Sequence, residues 1–203
     1  MRTPLLDLAR PGVHALCRAY FGLRLEGTEN IPQDGPLIIT PNHQTYADPP
    51  LVSLPVRRPV YYMAWDRLFE IPGLSWLIRR LRAFPVRLES RDPRAMREAL
   101  RLLEAREALM IFPEGSRSPD GSVQPFKPGA FRLSVALNAP VLPVTISGGT
   151  ASWPPGRLLP RPGSLRITYH PVIEPDPSLE PRRATLDLMR RAHEAIAGTP
   201  QSA

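Results

Sequence analysis

From Val13 onward the apolar residues fall at Val13, Leu16, Cys17, Tyr20 and Phe21, the i, i+3, i+4, i+7, i+8 stripe of an amphipathic helix. Upstream, Thr3-Pro4 reads as a cap followed by proline at the first helical position, and Pro11 closes that short segment. The other face of the main helix carries His14 and Arg18, with Arg10 and Arg24 flanking it. Such a stripe either packs on a core or lies in a lipid interface with its arginines at the headgroups.

After Gly27 short apolar runs alternate with helical patterns. Leu37-Ile38-Ile39-Thr40, Val60-Tyr61-Tyr62-Met63-Ala64, Ala108–Phe112 and Val141–Ser147 read as buried strands. Ala83-Phe84-Pro85-Val86 is a further strand weakened by its proline. Leu165–Tyr169 alternates as a half-buried strand. Between Asp92 and Glu107 a helix carries Met96, Ala99, Leu100 and Leu103 on one face, with Asp92-Pro93 as cap and first position. Further helices span Gly129–Leu137 and Arg182–Ala197, the latter apolar at Leu186, Met189 and Ala192. Ser152–Gly163, rich in Pro and Gly, reads as a surface loop. Alternation of strand and helix predicts an α/β domain with a largely parallel central sheet flanked by helices.

Composition narrows the class. The 203 residues suffice for one domain, and 42% apolar with 22% charged excludes general disorder. A single Cys forms no internal disulfide. No apolar run reaches the roughly 18–20 residues that span a bilayer. The opening is too broken by Asp7, Arg10 and Pro11 for a signal-peptide core. The expectation is a protein of the cytosol, or one resting on a membrane without crossing it. Net charge is +7, and Lys127 is the only lysine among 26 basic residues. That surface suits an anionic partner, and arginine grips phosphate oxygens bidentately.

Two strands run into unusual polar sequence: Thr40-Pro41-Asn42-His43-Gln44-Thr45-Tyr46-Ala47-Asp48-Pro49-Pro50, and Phe112-Pro113-Glu114-Gly115-Ser116-Arg117-Ser118. Ligands of open parallel sheets bind outside the carboxyl ends of strands, so the two loops are candidates for one site. Five positions on a straight helix turn about 140°, so His43 and Asp48 do not share a helical face. Pro49 instead predicts Asp48 as an N-cap, with His43 in the loop folded back against its carboxylate. Imidazole plus carboxylate is two-thirds of a hydrolase triad. No Ser or Cys completes it, which points to a substrate hydroxyl as nucleophile. In the second loop Gly115 permits close approach or positive φ, while Ser116, Ser118 and backbone amides can donate to an anion. Arg117 supplies a charged fork, Glu114 can accept from a substrate hydroxyl, and Lys127 sits just before a helix start.

Asn42-His43-x4-Asp48-Pro49 and Phe112-Pro113-Glu114-Gly115-Ser116-Arg117-Ser118 resemble the first and third motifs of the glycerolipid acyltransferases, most closely the bacterial lysophosphatidic acid acyltransferases. Glu26-Gly27-x-Glu29-Asn30-Ile31-Pro32, Phe126-Lys127-x-Gly129-Ala130 and Val141-Leu142-Pro143-Val144 fit the same order across about residues 24–150. The resemblance implies His43 as general base oriented by Asp48, with an acyl thioester of coenzyme A or acyl carrier protein as co-substrate. It implies no metal, no bound cofactor and no covalent acyl-enzyme. Glu114, Gly115, Ser116 and Arg117 would bind the glycerol phosphate, and Pro143 would shape the donor side. Phe84-Pro85-Val86-Arg87-Leu88 departs from the family's apolar-Pro-Val-Asp-Arg pattern, leaving Arg87 or Arg91 as the phosphate partner there.

The expected product is phosphatidic acid made from lysophosphatidic acid in phospholipid biosynthesis. The expected place is the cytoplasmic face of the cell membrane, where the enzyme is peripheral and meets an anionic lipid surface. Residues 1–23 would be membrane-contacting helices and 24–203 the acyltransferase domain. Alternatives are an O-acyltransferase for another lyso-lipid or polyol, a thioesterase, and a non-catalytic basic module binding lipid or nucleic acid. Nucleic acid is disfavoured because aromatics make up only 7% of the chain, too few for a stacking surface.

Overall fold

Leu37, Ile38 and Ile39 are all fully buried, because the strand they form has helices over both faces of its sheet. The computed structural model describes residues 4–87, 92–154, 157 and 159–200. Its strands are β1 (Arg24–Glu26), β2 (Leu37–Pro41), β3 (Val60–Trp65), β4 (Ala83–Val86), β5 (Ala108–Met110), β6 (Val141–Ser147) and β7 (Arg166–Tyr169). The helices are α1 (Pro4–Phe21), α2 (Asp48–Val52), α3 (Leu74–Arg80), α4 (Pro93–Glu104), α5 (Gly129–Leu137), α6 (Gly149–Ser152) and α7 (Pro181–Ala197).

The seven strands form one sheet in the order β1-β7-β6-β2-β5-β3-β4. Strands β6, β2, β5, β3 and β4 run parallel. Strand β7 pairs antiparallel with β6, and β1 lies parallel to β7 at that edge. The predicted α/β class and largely parallel sheet are therefore present. Leu37, Ile39, Met110, Leu142 and Val144 pack with Cys17 of α1 and with Leu51 and Val52 of α2. Ile38, Leu109 and Val141 face the other way, toward Ala99, Leu102 and Leu103 of α4, Phe131 of α5 and Leu188 of α7. Since β2 lies between β5 and β6, the loops that follow all three leave the same end of the sheet.

Several expectations change. Pro11 does not close a first segment; α1 runs through it. A proline inside a helix costs one backbone hydrogen bond. Contacts on either side hold the helix here: Arg10 Nη1 donates to the Val56 carbonyl at 2.6 Å, and Cys17 is buried in the core. Phe21 also packs against that core, but the rest of the stripe does not. Val13, Leu16 and Tyr20 are 44%, 67% and 40% exposed, so this face is not covered by the domain's own core. On another flank Arg10, His14 and Arg18 line a groove of about 1230 Å³ together with Arg24 and Arg57.

The buried faces of two helices are rotated from expectation. In α4 they are Ala95, Ala99, Leu102 and Leu103, with Met96 exposed; in α7 they are Ala184, Thr185, Leu188, Ala192 and Ile196, with Leu186 exposed. Strand β1 and helix α3 carry no clear period in the sequence. Pro85 sits on the edge strand β4, where its missing N–H costs the ladder little.

Tyr169 ties the antiparallel strand to the catalytic side of the sheet. Its buried hydroxyl donates to the Val52 carbonyl at the end of α2, at 2.6 Å. Tyr169→Phe removes the donor and leaves that carbonyl buried without its partner, which costs about 1–3 kcal/mol. Urea unfolding should show this as a lower midpoint at unchanged slope; an unchanged midpoint would mean that the bond contributes nothing net.

Candidate active site

The site begins with one carboxylate. Asp48 is completely buried and its two oxygens accept four hydrogen bonds. Oδ2 accepts from His43 Nδ1 at 2.8 Å, from the Gln44 amide at 2.6 Å and from the Thr45 amide at 2.8 Å; Oδ1 accepts from Thr45 Oγ1 at 2.6 Å. Asp48 is thus not the cap of α2, as its position before proline suggested; it is the first residue of the helix, with Ala47 as N-cap. The carboxylate faces back into the preceding loop. The chain explains why: Pro50 has no N–H, and the Leu51 amide is already bonded to the Ala47 carbonyl at 3.0 Å. Neither amide that an N-cap would serve is open to the carboxylate.

With its Nδ1 proton given to Asp48, the His43 ring presents Nε2 as an acceptor. The side chain is 19% exposed, enough to be reached from outside. Its flat face is supported by Phe112, with ring centroids 4.0 Å apart and planes 27° from parallel. Phe112 also packs against the core, so the base rests on the sheet. Among the described residues no Ser or Cys side chain bonds to His43; the one cysteine is buried on α1.

The loop after β5 is fastened beside it. The Ser118 amide donates to the His43 carbonyl at 2.7 Å, and the His43 amide donates to Glu114 Oε1 at 3.2 Å. Glu114 is only 4% exposed and its Oε2 has no partner. Burial pushes its carboxyl up to about 7, against the pull of the His43 and Gln124 amides. Through Oε1, Glu114 therefore braces the histidine loop. Ser118 is likewise buried, and its hydroxyl is engaged with Asp120 and the Gly121 amide, which removes it from the expected donors.

The open part of the turn is Gly115, Ser116 and Arg117. Gly115 has φ of 77°, and a Cβ there would come within 2.5 Å of Lys127 Nζ. The glycine thus serves twice: it adopts the left-handed turn and lets the ammonium lie against the backbone. The Lys127 amide donates to the Pro113 carbonyl at 2.8 Å, fixing this approach. Ser116 and Lys127 are exposed, and Arg117 is half-buried. Among the described residues neither Arg117 nor Lys127 has an acidic partner, so two cations flank one turn beside the imidazole.

Two expected residues lie elsewhere. Arg87 follows the edge strand β4, two strands and so about 10 Å across the sheet from β5, the strand that leads into the turn. It is exposed, its amide bonds to Asp92, and its Nε is 3.8 Å from Asp66. The structure does not bring it to the turn; Leu88 and Arg91 lie outside the described residues. Pro143 is buried within β6 opposite Thr40.

Sequence reasoning missed the braces. Asn42 exchanges hydrogen bonds with the Ile146 backbone at 3.0 and 2.6 Å, extending the pairing of β2 with β6 into the loop. Gln44 is buried; its amide nitrogen donates to the Gly121 carbonyl, and its oxygen accepts from the Gly149 and Thr150 amides. Both lie within the motif, but only the fold says which distant backbone each one meets. Among the described residues no group of three His, Cys, Asp or Glu could hold a metal, and no helix is long and apolar enough to cross a membrane.

Known proteins place this arrangement. The family model described as Acyltransferase matches residues 22–147. The chain is 29% identical to the chloroplastic 1-acyl-sn-glycerol-3-phosphate acyltransferase BAT2 of Brassica napus over 76% of its own length and 46% of that protein's. It is 26% identical to the 1-acyl-sn-glycerol-3-phosphate acyltransferase of Bacillus subtilis, covering 84% of each chain. The crystal structure of the 1-acyl-sn-glycerophosphate acyltransferase PlsC from Thermotoga maritima superposes with a TM-score of 0.67 at 32% identity, over 96% of this chain and 83% of that one. The chain spans about half the length of the plant and algal relatives it matches. By the family match and by this likeness, the chain belongs to the Acyltransferase family.

Proposed function

We propose that this chain transfers a fatty acyl group from an acyl thioester to the free hydroxyl of lysophosphatidic acid, giving phosphatidic acid. The observation that carries the reading is the His43–Asp48 pair opening beside a turn flanked by two uncompensated cations. His43 Nε2 takes the proton of the acceptor hydroxyl as its oxygen attacks the thioester carbonyl. The buried carboxylate stabilises the imidazolium that forms. The tetrahedral intermediate then expels the thiolate, which receives the proton from His43. Carbon and sulfur part, carbon and oxygen join, and neither cofactor nor metal enters.

Arg117, Lys127, Ser116 and the Gly115 backbone hold the acceptor phosphate in this reading, and Glu114 supports the loop. Arg87 takes no part at the turn, and Pro143, opposite Thr40 in β6, shapes the donor side. The donor is coenzyme A or acyl carrier protein. The names of the bacterial relatives and of the Thermotoga enzyme support lysophosphatidic acid as acceptor.

Residues 1–23 form the membrane-contacting part and 24–203 the transferase domain. Exposed Val13, Leu16 and Tyr20 support contact with an anionic bilayer, with the enzyme peripheral on the cytoplasmic face, because a lysophospholipid partitions into membranes.

Three measurements test the reading. With labelled acyl-coenzyme A and acyl carrier protein offered a panel of lyso-lipids, ester should form on lysophosphatidic acid. In His43→Ala the rate should fall about 10²–10⁴-fold, the usual value of a positioned base. Equal rates in that variant would remove His43 from the chemistry.

Glu114 supplies a pH signature. Its carboxyl titrates at about 7 when folded and near 4.5 in the unfolded chain, so stability falls as pH rises from about 4.5 through 7. Gln in its place keeps an oxygen for the His43 amide and does not titrate. The stability of Glu114→Gln relative to the parent should therefore climb between pH 5 and 8 in urea unfolding. A difference that stays flat over this range would mean that the carboxyl is not raised.

Replacing Val13, Leu16 and Tyr20 by Ser should lower partitioning onto anionic vesicles at least tenfold, given about 25 cal/mol per Å² of apolar area withdrawn from water. Activity on a short-chain, water-soluble acceptor should persist. Sedimentation with vesicles at parent levels would exclude this face as the contact.

A further inference from the structure

Tyr46 lies in the loop between the base and its carboxylate, and the residue is 61% exposed. Its backbone is held from both sides. Thr45 is locked by its amide and hydroxyl onto Asp48, and the Ala47 amide donates to Thr45 Oγ1 at 3.2 Å. On this fixed base the ring meets Arg117 in two ways. The guanidinium carbon stands 3.6 Å from the ring centroid, and Arg117 Nη2 donates to the Tyr46 hydroxyl at 2.8 Å. The edge of the pair is closed by Trp153, whose ring lies 6.5 Å from that of Tyr46 at 67°. Trp153 is tied in turn to the α6 turn, its amide donating to Gly149 and its indole to the Arg157 carbonyl.

An arginine on a flexible stem loses side-chain entropy when it clamps a phosphate. A stacked and hydrogen-bonded guanidinium has lost that freedom beforehand and keeps its remaining N–H groups for the ligand. We propose that Tyr46 is a positioning residue for the acceptor: it presets the Arg117 guanidinium toward the phosphate monoester and thereby favours acceptors that carry one. The inference rests on the assignment of Arg117 to the acceptor phosphate, and it gives the histidine loop a second task. The segment that supplies the base also aims the phosphate clamp, so hydroxyl and phosphate of one acceptor are referred to the same short stretch of backbone.

The test compares Tyr46→Ala, Tyr46→Phe, Arg117→Ala and the Tyr46→Ala/Arg117→Ala double variant in steady-state transfer to lysophosphatidic acid and to uncharged monoacylglycerol. In Tyr46→Ala the KM for lysophosphatidic acid should rise about tenfold, the size of one exposed stacking contact plus a share of a charged hydrogen bond. The turnover number should stay within about threefold and the donor KM should not change. Phenylalanine keeps the stack and should restore most of the loss. Monoacylglycerol, having no phosphate, should show no change. In the Arg117→Ala background removal of Tyr46 should add nothing, because there is no guanidinium left to aim.

The outcomes separate. If Arg117→Ala raises the acceptor KM and Tyr46→Ala does not, the positioning role of Tyr46 is wrong while the phosphate assignment stands. Full additivity in the double variant, or an equal loss with monoacylglycerol, would also overturn the proposal by making Tyr46 an independent contact or a structural one. If Arg117→Ala itself leaves the acceptor KM unchanged, the underlying phosphate assignment fails first, and the proposal falls with it.

Discussion

The burial of the Asp48 carboxylate governs the shape of the site. An isolated carboxylate out of water is very costly, and the cost is met only when its lone pairs are filled. Here the donors are two loop amides, one hydroxyl and one imidazole, all within five residues. The same bonds that make burial tolerable curl the loop and fix the tautomer of the base. Pro49 and Pro50 sharpen this arrangement. They open α2 at no cost in hydrogen bonds; Pro50 offers the carboxylate no amide, and the Leu51 amide is already taken by the Ala47 carbonyl. Local chain chemistry thus sends the acid toward the histidine.

The sheet then places the second loop. Parallel pairing of β2 with β5 on one side and β6 on the other opens three strand ends at the same end of the sheet. Side chains of the histidine loop join them: Asn42 to the end of β6, Gln44 to the segments at Gly121 and Gly149, and the backbone of His43 to Ser118 and Glu114. Each bond is made by a buried polar group, for which an unfilled partner is expensive. The arrangement is therefore steep on both sides: complete, it is rigid, and with one brace removed it loses much of its advantage over a looser loop.

The strong apolar runs at β2, β5 and β6 were legible because strands covered on both faces have no need of alternation. The pairing of His43 with Asp48 and the glycine turn were legible because their chemistry is local. Strand β1 was not: Arg24-Leu25-Glu26 has two exposed residues and owes its extension to β7, about 140 residues later in the chain. The buried faces of α4 and α7 were misjudged by roughly one position, since period alone does not say which of two adjacent apolar rows meets the sheet. Arg87 was offered from motif position, but the edge strand carries it away from the turn. Phe112 and Tyr46 act by stacking across loops, and no spacing rule reports which aromatic will meet which imidazole or guanidinium.

Charge at the turn follows from the same burial. Glu114 belongs to the same turn as Arg117, so its charge state bears on the field there. Its burial raises its carboxyl to about 7 against the pull of the His43 and Gln124 amides, and the Asp48 charge adds a smaller push upward. Around neutrality the brace therefore carries only part of a negative charge, and it faces the histidine backbone instead of the turn. Arg117 and Lys127, on the open side, keep their charge largely for an incoming anion. A carboxylate exposed on the open side of the turn would compete with a phosphate for these cations. Burying the acid removes the competitor while retaining its use as a hydrogen-bond acceptor, so one enclosed side chain gives both the rigidity of the base and the positive field of the turn.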